Sequence, residues 1–132
     1  MIACDTSALS HFFRRSAGAV NDAATHVAAL IESNQLALFG IVRQELLSGI
    51  KLPADFERIA QTTQALPIFL AEDEDHTTAA KFFNACRSKG IQGSPIDFLI
   101  CAMAVRRKFF IFTTDPDFDS YAAVIPIELY RS

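Results

Sequence analysis

The sequence predicts an α/β fold, a central and mostly parallel sheet flanked by helices. Two observations carry that expectation. Short apolar runs alternate along the chain with stretches of helical period, as strands joined by crossover helices do. Two acids, Asp5 and Asp115, also fall just after such runs, where the carboxyl ends of parallel strands open on a ligand crevice. The 132 residues make one ordinary domain, residues 1–132, able to bury a core without a disulfide or metal staple. No repeat, low-complexity tract or Pro/Gly-rich linker divides it.

Each element has its own signal. Ile2 to Cys4 is a buried run ending at Asp5. Ala8 to Arg15 and Asp22 to Ser33 are helical, the second with Ala23, Val27, Leu30 and Ile31 at helical spacing. Leu36 to Phe39 is a strand closed by Gly40; Ile41 to Ser48 is a short helix stopped at Gly49, and Pro53 to Leu66 another with proline near its start. Pro67 to Leu70 is briefly extended. Asp73 to Lys89 is a long helix, acidic in its first turn and basic in its last, in line with the helix dipole, and Gly90 ends it. Ser94-Pro95-Ile96-Asp97 opens the next helix with a cap, a proline at the first position and an acid three residues after the cap. Phe109 to Phe112 is a strand, Thr113 to Asp119 a loop, and Val124 to Leu129 a last strand that Pro126 confines to a sheet edge.

Composition removes many functions. Apolar residues make up 51% and charged residues 20% of a chain of net charge −3, which is globular and lacks the positive field of a duplex-coating protein. Such a chain meets nucleic acid if a divalent cation bridges its carboxylates to phosphate. Cys4, Cys86 and Cys101 form no C-x-x-C; they read as buried, inert side chains in a reducing, cytoplasmic setting. No signal peptide is read, and the longest apolar stretch, Phe98 to Val105, is too short for a bilayer. The glycines form neither G-x-G-x-x-G nor a P-loop, and no G-x-S-x-G or S-x-x-K occurs. His11, His26 and His76 stand alone and read as ordinary surface or core residues.

Four carboxylates stand out by position. Asp5 and Asp115 follow strands; Glu45 neighbours Val42 and Leu46 on the apolar side of its short helix; Asp97 borders a buried face through Ile100 and Cys101. Anions at an apolar boundary must be protonated, paired with a base, or gathered around a cation. Only Arg43 is close in sequence, so a hard divalent ion with oxygen ligands is the economical solution. Singly, each has a blander reading: Asp5 and Asp97 as helix caps, Glu45 as a half-exposed helix acid. Asp115, Asp117 and Asp119 imitate a calcium loop, but Ser120 and Pro126 stand where its glycine and bidentate glutamate belong.

Four segments in order, Ile2-Ala3-Cys4-Asp5-Thr6-Ser7, Arg43-Gln44-Glu45-Leu46-Leu47-Ser48-Gly49, Ser94 to Ala102 and Thr113-Thr114-Asp115-Pro116-Asp117-Phe118, resemble the PIN-domain family. The resemblance is closer to the VapC-type toxins of prokaryotic toxin–antitoxin pairs. It spans nearly the whole chain; Cys101, where alanine is common, is a minor departure. The resemblance implies a three-layer fold and a Mg²⁺- or Mn²⁺-dependent endoribonuclease. It further implies catalytic Asp5, Glu45, Asp97 and Asp115, with Asp5, Asp97 and Asp115 holding one or two ions. Glu45 would orient water or act as base. Thr6, Ser7, Ser94 and Thr113 become supporting or substrate-contacting groups, and Asp117 an auxiliary acid. Implied partners are an RNA substrate, an antitoxin segment on an apolar groove, and a second copy in a homodimer; no membrane is implied. Arg14-Arg15 and Arg106-Arg107-Lys108 are candidate phosphate contacts, with dipole compensation the competing reading for the second group. The rival reading is a catalytically silent PIN-like scaffold that binds RNA or an antitoxin. A phospho-receiver fits poorly because Asp5 is unpaired, the Leu36 to Phe39 strand ends in Gly40 and the last strand segment has no lysine; a haloacid-dehalogenase-type phosphatase fails at Ser7.

Overall fold

The computed structural model describes residues 1–13 and 21–131. Its elements are β1 (Ile2–Cys4), α1 (Thr6–Phe13), α2 (Asp22–Glu32), β2 (Leu36–Phe39), α3 (Gly40–Ser48), α4 (Pro53–Gln64), β3 (Ile68–Phe69), α5 (Asp73–Ser88), α6 (Pro95–Arg107), β4 (Phe110–Phe112) and α7 (Asp117–Ala122). The strands form one parallel sheet in the order β3-β2-β1-β4. From β1 the chain first adds strands on one side, then crosses to place β4 on the other. β1 is therefore the point where the winding reverses, and the crevice beyond its carboxyl end is where such a sheet opens for a ligand. The expected α/β architecture is what is found.

Every residue of β1 and β2 is buried, so both sheet faces are covered by helices. α6 is buried without a break from Phe98 to Ala104, which identifies it as an interior helix rather than an amphipathic surface one. It packs chiefly on α5 and touches α3 and β4. Its start follows the sequence reading: Pro95 opens the helix and Ser94 Oγ accepts from the Asp97 amide at 3.1 Å. The three cysteines are free and buried, as expected. Phe12, Phe13, Phe82 and Phe83 pack against the core. Among the described residues no helix is long and apolar enough to cross a membrane.

Three elements differ from expectation. The stretch from Val124 to Leu129 makes no strand; it contributes one parallel bridge, Ile111 with Leu129. The Ile111 amide donates to Glu128 O at 2.9 Å and the Tyr130 amide to Ile111 O at 2.8 Å. Pro126 has no amide to extend the ladder, so the edge position holds and the strand does not. The expected loop to Asp119 gives way at Asp117 to α7. The Asp115 carboxylate accepts from the Asp117 amide at 2.9 Å and thereby starts the turn. In α1, Asp5 accepts from the Ala8 amide at 3.0 Å, so this helix begins two residues before Ala8. The far end of that predicted helix, with Arg14 and Arg15, lies outside the described residues.

A buried ion pair locks α5 to α6. Asp75, only 1% exposed, accepts from Arg106 Nε at 2.6 Å and Nη2 at 2.9 Å and from the Glu72 amide at 2.9 Å. Arg106 holds the Asp75 carboxyl below the usual carboxylate range. Asp75→Ala strands these donors and is expected to lower the unfolding free energy by about 2 kcal/mol. Asp55→Ala, which breaks the exposed Asp55–Arg58 pair, should change it by under about 1 kcal/mol; urea denaturation of the two variants makes the comparison. Arg106 and Arg107, candidate phosphate contacts in the sequence, are engaged within the protein instead. The first is spent on Asp75, Glu72 and Glu74. The second donates to Leu70 O and lies 5.0 Å over the Phe69 ring. Both sit at the C-terminal end of α6, about 15 Å along the helix from Asp97.

Candidate active site

Strand ends and helix starts bring the predicted residues to one end of the sheet. Asp5 leaves β1, Thr113 and Asp115 leave β4, and Asp97 stands in the first turn of the buried helix α6. Asp5 is 4% exposed and is held by three kinds of donor. Thr113 Oγ1 donates to its Oδ2 at 2.6 Å, Ser7 Oγ lies 2.8 Å from Oδ1, and the Ala8 amide caps the same carboxylate. Thr113 Oγ1 also accepts from the Asp115 amide at 2.9 Å, and Ser7 Oγ from the Thr114 amide at 3.1 Å. One hydroxyl therefore ties two of the four acids together.

The electrostatics describe a shared field. Burial pushes the Asp5 carboxyl up, against the bonds from Thr113, Ala8 and Ser7, and the charge of Asp115 adds to the rise. Burial also raises Asp97, opposed by a bond from Tyr121 and assisted by Asp115 and Asp5. The charge of Asp115 thus reaches both Asp5 and Asp97, and the charge of Asp5 reaches Asp97. Among the described residues no cation forms an ion pair with any of them. Arg43, the candidate neighbour, turns instead to Thr63 Oγ1 and Ala60 O. Among the described residues no three His, Cys, Asp or Glu side chains close on one point at ligand spacing. Asp5, Asp97 and Asp115 lie within electrostatic reach of one another without forming a preassembled coordination shell. As a donor set, all oxygen and all anionic, they fit a hard divalent cation.

Glu45 is a correction in part. It is exposed, so the buried apolar face inferred for it is wrong; α3 buries Val42 and Leu46 and leaves Glu45 on the flank. Its carboxylate still reaches the site, accepting from Thr6 Oγ1, one residue beyond Asp5. Ser94 serves the backbone of Asp97 as a cap. Asp117 is exposed in the first turn of α7, and its amide, not its carboxylate, is what Asp115 engages. Sequence reading missed Tyr121, whose hydroxyl donates to Asp97 Oδ2 at 2.8 Å. Its signal is the apolar spacing of Phe118 and Tyr121, one helical turn apart across the end of the expected loop at Asp119.

Comparison with known proteins agrees with this geometry. The PIN-domain family model matches residues 2–124. Ribonuclease VapC11 of Mycobacterium tuberculosis is 31% identical over 132 residues, covering 97% of this chain and 96% of the relative. Among solved structures, VapBC2 of Rickettsia felis bound to a promoter DNA fragment superposes with a TM-score of 0.78 at 16% identity, over 98% of each chain. FitAcB of Neisseria gonorrhoeae superposes with 0.76 at 16% identity, over 99% of this chain and 97% of that one. The fold, the order of the motifs and the identity to VapC11 agree, and the chain belongs to the PIN-domain family, among its VapC-type ribonucleases.

Proposed function

We propose that this protein is a Mg²⁺- or Mn²⁺-dependent endoribonuclease, the toxin of a VapBC-type pair, hydrolysing RNA phosphodiester bonds in the cytoplasm as a single PIN domain in a homodimer. The observation that carries the reading is that Asp5 and Asp97, beside the winding reversal at β1, both lie within electrostatic reach of Asp115, whose charge raises the proton affinity of each. Asp5, Asp97 and Asp115 would hold the ion. When bound, such an ion supplies positive charge to the scissile phosphate and makes nearby water more acidic. Asp5 is the rigid member, its rotamer fixed by Ser7, Thr113 and the α1 amide. Glu45, exposed and tethered by Thr6, is free to orient the attacking water or take its proton. Asp117, exposed beside Asp115, is an auxiliary acid.

The partners proposed are RNA and a cognate antitoxin. The VapC name of the curated relatives and the VapBC complexes among the structural neighbours support that pairing. The test is cleavage of a total-RNA pool by the purified chain in Mg²⁺ or Mn²⁺, abolished by EDTA and restored by added ion. RNA left intact in either ion, with the protein folded, would favour the silent scaffold instead.

Thr113→Val is a sharper probe, because it keeps the side-chain volume and removes the linking hydroxyl with its bonds to Asp5, the Asp115 amide and Ser7. Cleavage is expected to fall roughly ten- to a hundredfold, while Thr114→Val, one residue away and exposed, should leave it within about twofold. Initial rates of the two variants on one RNA decide it.

A further inference from the structure

Tyr121 is fully buried, its ring between Phe98 and Phe118 with centroid separations of 4.8 Å and 5.1 Å. A phenol so deep must spend its O–H on a partner, and that partner is Asp97 Oδ2 at 2.8 Å. The approach depends on a glycine. A Cβ at position 93 would stand 2.5 Å from the Tyr121 hydroxyl oxygen, 2.8 Å from its Cζ and 2.8 Å from Phe98 Cε2. Among the described residues Gly90 is the glycine with a left-handed φ; Gly93 is not in that region. Space, not backbone conformation, therefore calls for glycine at 93.

We infer that Tyr121 is a positioning residue: its hydroxyl holds the Asp97 carboxylate in a single orientation, and Gly93 is the clearance that lets it do so. The inference rests on Asp97 being an ion ligand, as proposed above. α7 is the strut. Asp115 starts it through the Asp117 amide, and Tyr121 leaves its body toward Asp97, so this one turn-and-helix relates two of the acids. With Oδ2 taken by the phenol, the opposite oxygen of Asp97 is turned to a defined side. A phenol bonded to Asp97 only to satisfy its own hydroxyl would matter for folding and not for the ion.

Mn²⁺ alone, titrated into the full metal-free chain and followed by loss of the free aqua-ion EPR signal, separates the two. Wild type and Asp97→Asn set the range. Tyr121→Phe keeps the ring and removes the hydroxyl; it is expected to weaken Mn²⁺ binding roughly ten- to a hundredfold, with the metal-free melting temperature within a few degrees of wild type. Gly93→Ala should weaken it comparably by displacing the hydroxyl. The double variant should bind no worse than the weaker single one, since the same bond cannot be lost twice. Tyr121→Phe with wild-type Mn²⁺ affinity overturns the inference, whether or not its melting temperature falls. If Tyr121→Phe does not fold, Gly93→Ala decides on the same readout. A wild-type chain that takes up no Mn²⁺ sinks the metal-site reading itself, an outcome seen before any variant is compared.

Discussion

Asp5→Asn is expected to leave a folded protein that no longer cleaves RNA in Mg²⁺ or Mn²⁺. The loss should exceed the roughly hundredfold that removal of a supporting partner of a metal ligand costs, because here the ligand charge itself disappears. Folding should survive. Asparagine has the same shape and keeps an acceptor for the Ala8 amide that Asp5 caps. The hydroxyls of Ser7 and Thr113, which donate to the carboxylate, can turn to accept from the new amide. The metal-free variant should melt no lower than wild type, since burial already penalises the anion at this position. Circular dichroism checks the fold and a gel-based cleavage assay the activity. Undiminished Mg²⁺-dependent cleavage by a folded Asp5→Asn protein would be incompatible with the mechanism.

What could be read in the sequence was local. The strands from Ile2 and from Leu36 are apolar runs with abrupt ends, and the start of α6 is encoded by Ser94 and Pro95 within a few residues. Asp5 and Asp97 were legible because each interrupts apolar sequence at a boundary. Glu45 shows the limit of the same logic. On a nine-residue helix the apolar stripe is too brief to locate its edge, and a residue three from Val42 and next to Leu46 can fall on either side of it. The helix α7 was lost because alternate aspartates at 115, 117 and 119 resemble a polar loop, although Phe118 and Tyr121 lie one helical turn apart. The final strand is expected because Ile125, Ile127 and Leu129 alternate as strand residues do, and it does not form because the missing amide of Pro126 outweighs that pattern. The bonds that build the site, Thr113 to Asp5 across 108 positions and Tyr121 to Asp97 across 24, depend on the sheet order and leave no local trace.

The stability of the metal-free chain should also depend on pH in a direction unusual for carboxylates. Asp5 and Asp97 are raised above the ordinary value of 3.8, in each case chiefly by burial. Between that value and the raised ones the folded chain holds protons that the unfolded chain has released, so stability falls as pH rises through this window. Asp75, lowered by Arg106, behaves oppositely: its contribution is complete above the ordinary value and vanishes as pH drops through its own lower one. Together they place the metal-free optimum on the acid side of neutrality, above the range where Asp75 takes up a proton. A divalent ion should reverse the penalty at neutral pH, because it binds the folded arrangement of acids and not the unfolded chain. At about a hundred times its dissociation constant, Mn²⁺ would add about 2.7 kcal/mol, or roughly 10 °C in melting temperature for a chain of this size. The gain should shrink toward acid pH as protons compete for Asp5 and Asp97. In Asp5→Asn the Mn²⁺ shift should be lost and the pH slope should shrink to the part that the burial of Asp97 supplies, since one substitution removes a ligand and the more deeply buried of the two raised carboxyls. Differential scanning calorimetry across pH, with and without Mn²⁺, tests both proteins. Equal Mn²⁺ shifts in the two would mean that the ion binds elsewhere and that the acids beside β1 do not hold it.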